Sequence, residues 1–222
     1  MILRKKKVCY QNYKTMAQIN PYTELGRIHN DVLDYCIAHN ADPTEDEFQQ
    51  MIADYMSDYF VNTIPAFNSN CKMLAGLAMN TSYVDKNIVK TNIRWNGQQL
   101  IFLEQLLTEP SYPPEPYYSS IQDDIFSSSL TPRESRILLG AVAIGMNSGL
   151  YWEGAYSNAL DPWHSFMIST NKVKKVAFED VLAYLEAWAD AIGEDGNFSN
   201  DDADKALFHS AASSAWEAYT GI

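Results

Sequence analysis

The sequence predicts an all-α fold, a single-domain helical bundle of about six to eight helices with a buried, glycine-containing central helix. Apolar residues recur at three- and four-residue spacing along most of the chain, and no segment alternates as a half-buried strand would. Helix-capping sequences precede several of these periodic stretches. The hydrophobic fraction of 46% is sufficient for a real core, so we expect a folded chain.

The first two helices are predicted from a start signal and a capping box. Asn20 followed by proline indicates a helix near 21–39, because proline at the first helical position lacks a donor that would be unpaired anyway. Thr44 and Glu47 form a capping box for a second helix that runs to Phe60. We expect the two helices to pack as an antiparallel hairpin.

The middle of the chain alternates between weak and clear patterns. Residues 65–92 suggest one short helix and loops, and a helix is predicted near 96–108. Four prolines then make 109–116 an extended segment and the candidate internal linker. A further helix is predicted over 117–129.

The central helix is predicted from Pro132 to about Tyr156. Thr131 and Glu134 supply its capping box, and its middle is apolar on nearly all sides, which is typical of a helix surrounded by others. Glycine in a helix interior costs roughly 1 kcal/mol against alanine, so its glycines predict close approach of a neighbouring backbone. These glycines are Gly140, Gly145, Gly149 and Gly154.

Two helices complete the predicted bundle. One covers 176–192, with Gly193 as its C-terminal stop. The last helix is predicted to begin after Ser199, its N-cap. Four of its residues are expected to face the core: Leu207, Ala211, Ala215 and Trp216.

The ends of the chain and its charge limit the function classes. Residues 1–19 are predicted to be a basic flexible tail, and 20–222 the helical domain; the basic run 4–7 is interpreted as solvated, with a nucleotide or membrane contact as the alternative. The net charge of -12 disfavours nucleic acid as a partner. No apolar run is long enough for a membrane span, and no signal-peptide core follows the basic run. We therefore expect a cytoplasmic protein as written, or an exported one if the natural N-terminus differs.

The most site-like stretch lies at the end of the central helix. It concentrates aromatic side chains with carboxylates and a histidine, a composition used by small-molecule and peptide pockets, although such junctions are more often simply packed. The predicted ligand-binding residues are Tyr151, Trp152, Glu153, Tyr156, Trp163 and His164.

No catalytic, metal or cofactor site is predicted. His29 shares a helix face with apolar residues, which favours a hydrogen-bonded core histidine over a catalytic or metal-binding one. Cys36 is interpreted as core, and Cys9 and Cys71 lack the spacing of a disulfide or zinc framework. The acidic stretch 190–202 fails the EF-hand template, because Asn200 and Ala206 occupy the glycine and glutamate positions.

Two function hypotheses remain open. The first is a non-catalytic helical binding or interaction protein with a protein or small-molecule partner. The second is a small hydrolase or metal-dependent enzyme that uses His29 or His164 with nearby carboxylates. Histidine and carboxylates in an open cleft would favour the enzyme, and buried histidines the binding protein.

The first helix also resembles that of a group of uncharacterised proteins. The pattern Asn20-Pro21-Tyr22, Gly26, His29-Asn30 and Leu33-Asp34-Tyr35 is similar to the opening helix of all-helical Bacteroidetes proteins. The apolar helix 137–149 and the alanine-rich C-terminus are similar as well. The resemblance implies a helical fold and no particular activity, and many of those proteins have an exported N-terminus.

Overall fold

The computed structural model describes residues 18–40, 42–60, 89–91, 93–195, 206 and 209–216, and every regular element within these ranges is helical. The all-α single-domain bundle predicted from the sequence is therefore confirmed. Within these ranges no helix is long and apolar enough to cross a membrane. The helices are α1 (Thr23–His39), α2 (Glu45–Phe60), α3 (Gly97–Leu106), α4 (Pro114–Ser127), α5 (Pro132–Ser157) and α6 (Thr170–Asp195), with a further helical segment at 209–216.

Helix α5 lies at the centre of the bundle. It contacts α1, α3, α4 and α6, whereas α2 packs on α1. Its residues from Ile137 to Gly145 are all buried, as expected of a helix that is apolar on nearly all sides. The prediction of a buried, glycine-containing central helix is confirmed.

Capping boxes fix the starts of three helices. Thr44 and Glu47 exchange hydrogen bonds at the start of α2, and Thr131 and Glu134 do so at α5, both as predicted. Asn96 caps α3 by accepting from two backbone amides. Each box satisfies amide groups that the helix itself leaves unpaired.

Several helix bounds differ from the sequence predictions. Helix α1 begins at Thr23 instead of 21, because Asn20 accepts from the Tyr22 amide in a turn before the helix. Helix α4 begins at Pro114, since prolines are tolerated in a first turn that lacks amide partners. Helix α6 extends from Thr170 through Asp195, so Gly193 does not stop it.

The nearest neighbours of the buried α5 glycines are side chains, whereas a neighbouring backbone was predicted. A β-carbon at Gly145 would lie 2.7 Å from the Tyr118 ring, and one at Gly149 would lie 2.8 Å from Pro114, so side chains of α4 are the nearest neighbours. The predicted close approach of another backbone is wrong for Gly145. Gly154 has nothing within 4 Å of the position of its β-carbon.

Some predictions fall outside the described residues. These are the basic run 4–7, most of the segment 65–92 with its predicted short helix, Cys9 and Cys71, and the acidic loop with Ser199 and Leu207. In the C-terminal segment, Ala211 and Ala215 are buried and the partly buried Trp216 ring lies 5.1 Å from that of Phe48.

Two glycines of α5 make a matched test of this packing. Gly145→Ala should destabilise the protein by roughly 1 to 3 kcal/mol, because the Tyr118 ring is fully buried and has no room to move. Gly154→Ala should stabilise it by up to about 1 kcal/mol, because alanine favours a helix and the space is open. Chemical denaturation measures both, and a more stable Gly145→Ala protein would contradict the close packing of α4 on α5.

Candidate functional site

Helices α1 and α5 run parallel and are joined by a polar seam. Residue numbers rise together along both helices, with Gly26 closest to the Ala143 carbonyl. The residues of the NPY, HN and LDY pattern thus dock α1 on α5. Three hydrogen bonds form the seam: Asn20 Nδ2 to Leu139 O (2.9 Å), Asn30 Nδ2 to Asn147 O (3.1 Å) and Tyr151 Oη to Asp34 Oδ1 (2.8 Å).

A buried carboxylate lies where four helical segments meet. Asp180 of α6 is 1% exposed, and its Oδ2 atom lies 3.4 Å from Nε2 of His29, which is 0% exposed. The Ser148 hydroxyl of α5 donates to the same oxygen. The Ser210 hydroxyl of the C-terminal segment donates to the Asp180 carbonyl at 2.8 Å. Asp180 therefore links α1, α5, α6 and the C-terminal segment.

This buried cluster does not have the geometry of a nucleophilic site. The Ser148 hydroxyl donates to the carboxylate, so the carboxylate, not the histidine, is its hydrogen-bond partner. In a serine nucleophile the imidazole must face the hydroxyl to take its proton. With Ser148 and His29 both 0% exposed, no dissolved substrate reaches them. The interpretation of His29 as a core histidine is confirmed.

Removing the buried carboxylate should be costly. Asp180→Ala leaves the buried Ser148 hydroxyl without its acceptor and removes the carboxylate that faces His29, and it should destabilise the protein by roughly 1 to 3 kcal/mol. The control is Glu179→Ala, which removes a partly exposed carboxylate paired with Lys175 and should cost less than about 1 kcal/mol. Equal losses in urea denaturation would refute the role of Asp180 as a link between helices.

His209 makes the stability depend on pH. Burial lowers the pKa of His209 to about 4. A hydrogen bond to the Ala183 backbone raises the pKa, but by less than burial lowers it. Between pH 6.5 and about 4 the unfolded chain therefore binds a proton that the folded protein does not. This contribution to stability is complete above pH 6.5 and is lost as the pH falls through that window.

The pH dependence is measured by comparing the wild type with a His209 variant. Acidification from pH 6.5 to about 4 should remove roughly 1 to 3 kcal/mol through His209, the lower end allowing for the ring's remaining contact with water. His209→Gln should flatten the plot of unfolding free energy against pH in that window. Parallel plots for the wild type and His209→Gln would show that His209 is not shielded from protons.

Three of the predicted ligand-binding residues lie in one aromatic cluster. Trp152 is 0% exposed, and its ring lies 5.1 Å from that of Tyr151 and 5.8 Å from that of Trp163. The Tyr151 hydroxyl accepts a hydrogen bond from Trp163 Nε1 at 3.0 Å while donating to Asp34. Burial, followed by the bond to Asp34, raises the pKa of Tyr151, so the hydroxyl stays protonated and donates at neutral pH.

The other three predicted residues lie around this cluster. His164 Nδ1 lies 3.0 Å from the Ala155 carbonyl, to which it donates. Tyr156 is partly buried against the core. Glu153 accepts from the Tyr112 hydroxyl at 3.2 Å. Whether any of the six binds a ligand stays a prediction.

The exposed face of α5 near its C-terminus carries an apolar strip between two carboxylates. Leu150 is 55% exposed, and Gly154, one turn on, is exposed as well. At about 100° per residue, Tyr151 and Glu153 lie on opposite sides of this pair. We define the outer strip as Leu150 and Gly154 together with the two flanking pairs, Tyr151–Asp34 and Tyr112–Glu153.

Sequence reasoning missed the residues that complete both features. Tyr112 and Asp34 reach the outer strip from the loop before α4 and from α1, through tertiary contacts that the sequence does not display. Asp180 did leave a signal, because it lies at helical spacing on a stripe with Val173, Val176, Ala177 and Tyr184. A carboxylate on an apolar helix face requires a buried partner.

Metal and thiol chemistry find no support in the described part of the chain. Within it, no group of three or more histidine, cysteine or acidic side chains is placed to hold a metal ion. Cys36 is fully buried, as interpreted from the sequence, and burial raises the pKa of its thiol to about 12. The thiol therefore stays protonated and unreactive.

Comparison with known proteins identifies no relative. No protein-family model matches the chain, and neither a curated protein nor a solved structure is significantly similar to it.

Proposed function

We propose that this chain is a non-catalytic binding protein and that the outer strip is its binding surface. The observation that carries the proposal is the different solvent exposure of the two features, the buried cluster around Asp180 and the exposed outer strip. The polar cluster around Asp180 is closed to solvent and joins helices, whereas the outer strip is exposed and is flanked by two hydrogen-bonded tyrosine–carboxylate pairs. Binding surfaces combine apolar contact area with a few well-placed polar groups, as this strip does.

The frame of the strip comes from three different segments. Asp34 belongs to α1, Tyr112 to the loop before α4, and Leu150 with Gly154 to α5. The floor of the strip lies directly over the core, because Trp152 and Ala155 of the same helical turns are 0% and 1% exposed. A partner would meet a surface that needs little ordering on binding, which lowers the entropic cost of association.

The alternative enzyme hypothesis has weaker support. His29 faces a buried carboxylate, and Nδ1 of His164 is engaged by a backbone carbonyl. Among the described residues no carboxylate pairs with His164, and the carboxylate that faces His29 is buried, whereas general acid–base chemistry needs such a pair in an open cleft. The net charge of -12 further supports a partner other than nucleic acid. A cytoplasmic location and kinship with the Bacteroidetes proteins are parts of the same proposal.

A blocking substitution tests the binding surface. Gly154→Trp fills the floor of the strip, and the open space around Gly154 means that the fold should tolerate it. The probes are peptides of about twelve residues, roughly three helical turns, that share the same leucines and differ in charge. At least one should shift the amide signals of Leu150 and Gly154 in a titration followed by nuclear magnetic resonance, and Gly154→Trp should abolish the binding.

The matched control is Gly97→Trp. Gly97 is also exposed with nothing within 4 Å of its β-carbon position, but it lies at the start of α3. This variant should bind the peptides as the wild type does. Binding that survives Gly154→Trp, or ester hydrolysis that is lost in His164→Gln, would overturn the proposed function.

A further inference from the structure

We infer, resting on the proposed function, that the partner is a protein segment with an apolar anchor residue between basic side chains. The outer strip has an apolar floor at Leu150 and Gly154 and a carboxylate on each side. A ligand that fits must place its apolar group centrally and its positive charges at the margins. A short basic amphipathic segment has this arrangement.

The two carboxylates are held in place, and among the described residues no cation pairs with either of them. Within the described residues, none of the salt bridges includes Asp34 or Glu153, although several surface carboxylates are paired with lysine or arginine. Each accepts a tyrosine hydroxyl on one oxygen, Asp34 from Tyr151 and Glu153 from Tyr112. The second oxygen of each remains able to accept from a lysine or arginine of a partner.

Tyr151 and Tyr112 each position a carboxylate and leave it with the negative charge that a cationic partner would need. A salt bridge to lysine would cancel the charge of the carboxylate, whereas a phenol fixes its orientation and leaves the charge intact. Burial and the neighbouring Glu153 raise the pKa of Tyr112, so this phenol also remains a donor at neutral pH. The excess of acidic residues over the whole chain adds a long-range attraction for a basic segment.

The central contact is apolar and has room for a side chain. Leu150 is 55% exposed, and the missing side chain of Gly154 leaves the next turn of the floor open. An anchor residue of the partner would lie over Gly154 and against Leu150, covering apolar surface that now faces water. The flanking charges then set the direction and register of the segment.

Three peptides test the inference. They share the same leucines, and the remaining positions carry lysine and arginine, serine and glutamine, or glutamate. Fluorescence anisotropy should show the tightest binding for the cationic peptide, with an affinity that falls as salt is added. Replacing both carboxylates in Asp34→Asn/Glu153→Gln should weaken it about tenfold, because each exposed ion pair contributes a factor of a few.

A charge-matched control separates the strip from the overall charge. Asp123→Asn/Asp124→Asn removes the same charge from the exposed surface of α4 and should change the affinity less than about twofold. Tyr112→Phe should weaken the cationic peptide and leave the neutral peptide unaffected. Equal losses in both double variants would overturn the inference, since they would show attraction by net charge alone.

The remaining outcomes distinguish this inference from the proposed function. If the neutral or acidic peptide binds as tightly and Gly154→Trp blocks it, the strip binds but the partner is not basic. If Gly154→Trp blocks none of the peptides, the proposed function fails as well. If sedimentation shows a dimer that Gly154→Trp dissociates, a second copy of the chain is the occupant and the inference is wrong.

Discussion

The burial of α5 is the constraint on which the rest of the structure depends. A helix that is apolar around its whole circumference cannot lie at a surface, so other helices must cover it on all sides. Helices α1, α3, α4 and α6 do so, and every residue from Ile137 to Gly145 is buried. Beyond Gly149, which packs on Pro114 at the start of α4, one face of α5 is exposed at Leu150 and Gly154, while Trp152 remains buried. The outer strip thus lies on the side of α5 that α4 leaves uncovered.

Close packing around α5 is obtained with glycine on one side and hydrogen bonds on another. Gly145 and Gly149 allow the side chains of α4 to lie against the helix, and Gly26 allows α1 to approach the Ala143 carbonyl. Polar groups that become buried in these interfaces need partners, because an unpaired buried carboxylate is costly. Asp180 meets this requirement by accepting from the Ser148 hydroxyl, and with His29 lying 3.4 Å away it joins three helices.

The sequence predicts the elements of this fold better than their contacts. Apolar periodicity and the capping pair Thr131–Glu134 are local signals, and they locate α5 to within about one residue of its observed end. The partner of Gly145 is a tertiary property, and the sequence alone could not distinguish a neighbouring backbone from the Tyr118 ring. The start of α4 was misplaced because prolines were interpreted as breakers, although the first turn accepts them.

The candidate site shows the same limit. The aromatic residues around Trp152 were found because they are adjacent in sequence, but the carboxylate of Asp34 lies more than a hundred positions away along the chain. Asp180 and His29 are likewise distant in sequence, and the packing of both α1 and α6 on α5 brings them together. Local spacing therefore identified the aromatic floor beneath the strip and Glu153 at its edge, and missed Asp34 and Tyr112, which complete the two flanking pairs.

Hydrogen–deuterium exchange with and without the cationic peptide tests the central claim most directly, because it reports which of the two polar features meets a partner. The account predicts added protection at the C-terminal end of α5 and at the turn of α1 that contains Asp34, with exchange around Asp180 unchanged. Protection centred on Asp180 and His29, with none near Leu150 and Gly154, would contradict it, since the buried cluster would then be the site that opens to receive a ligand.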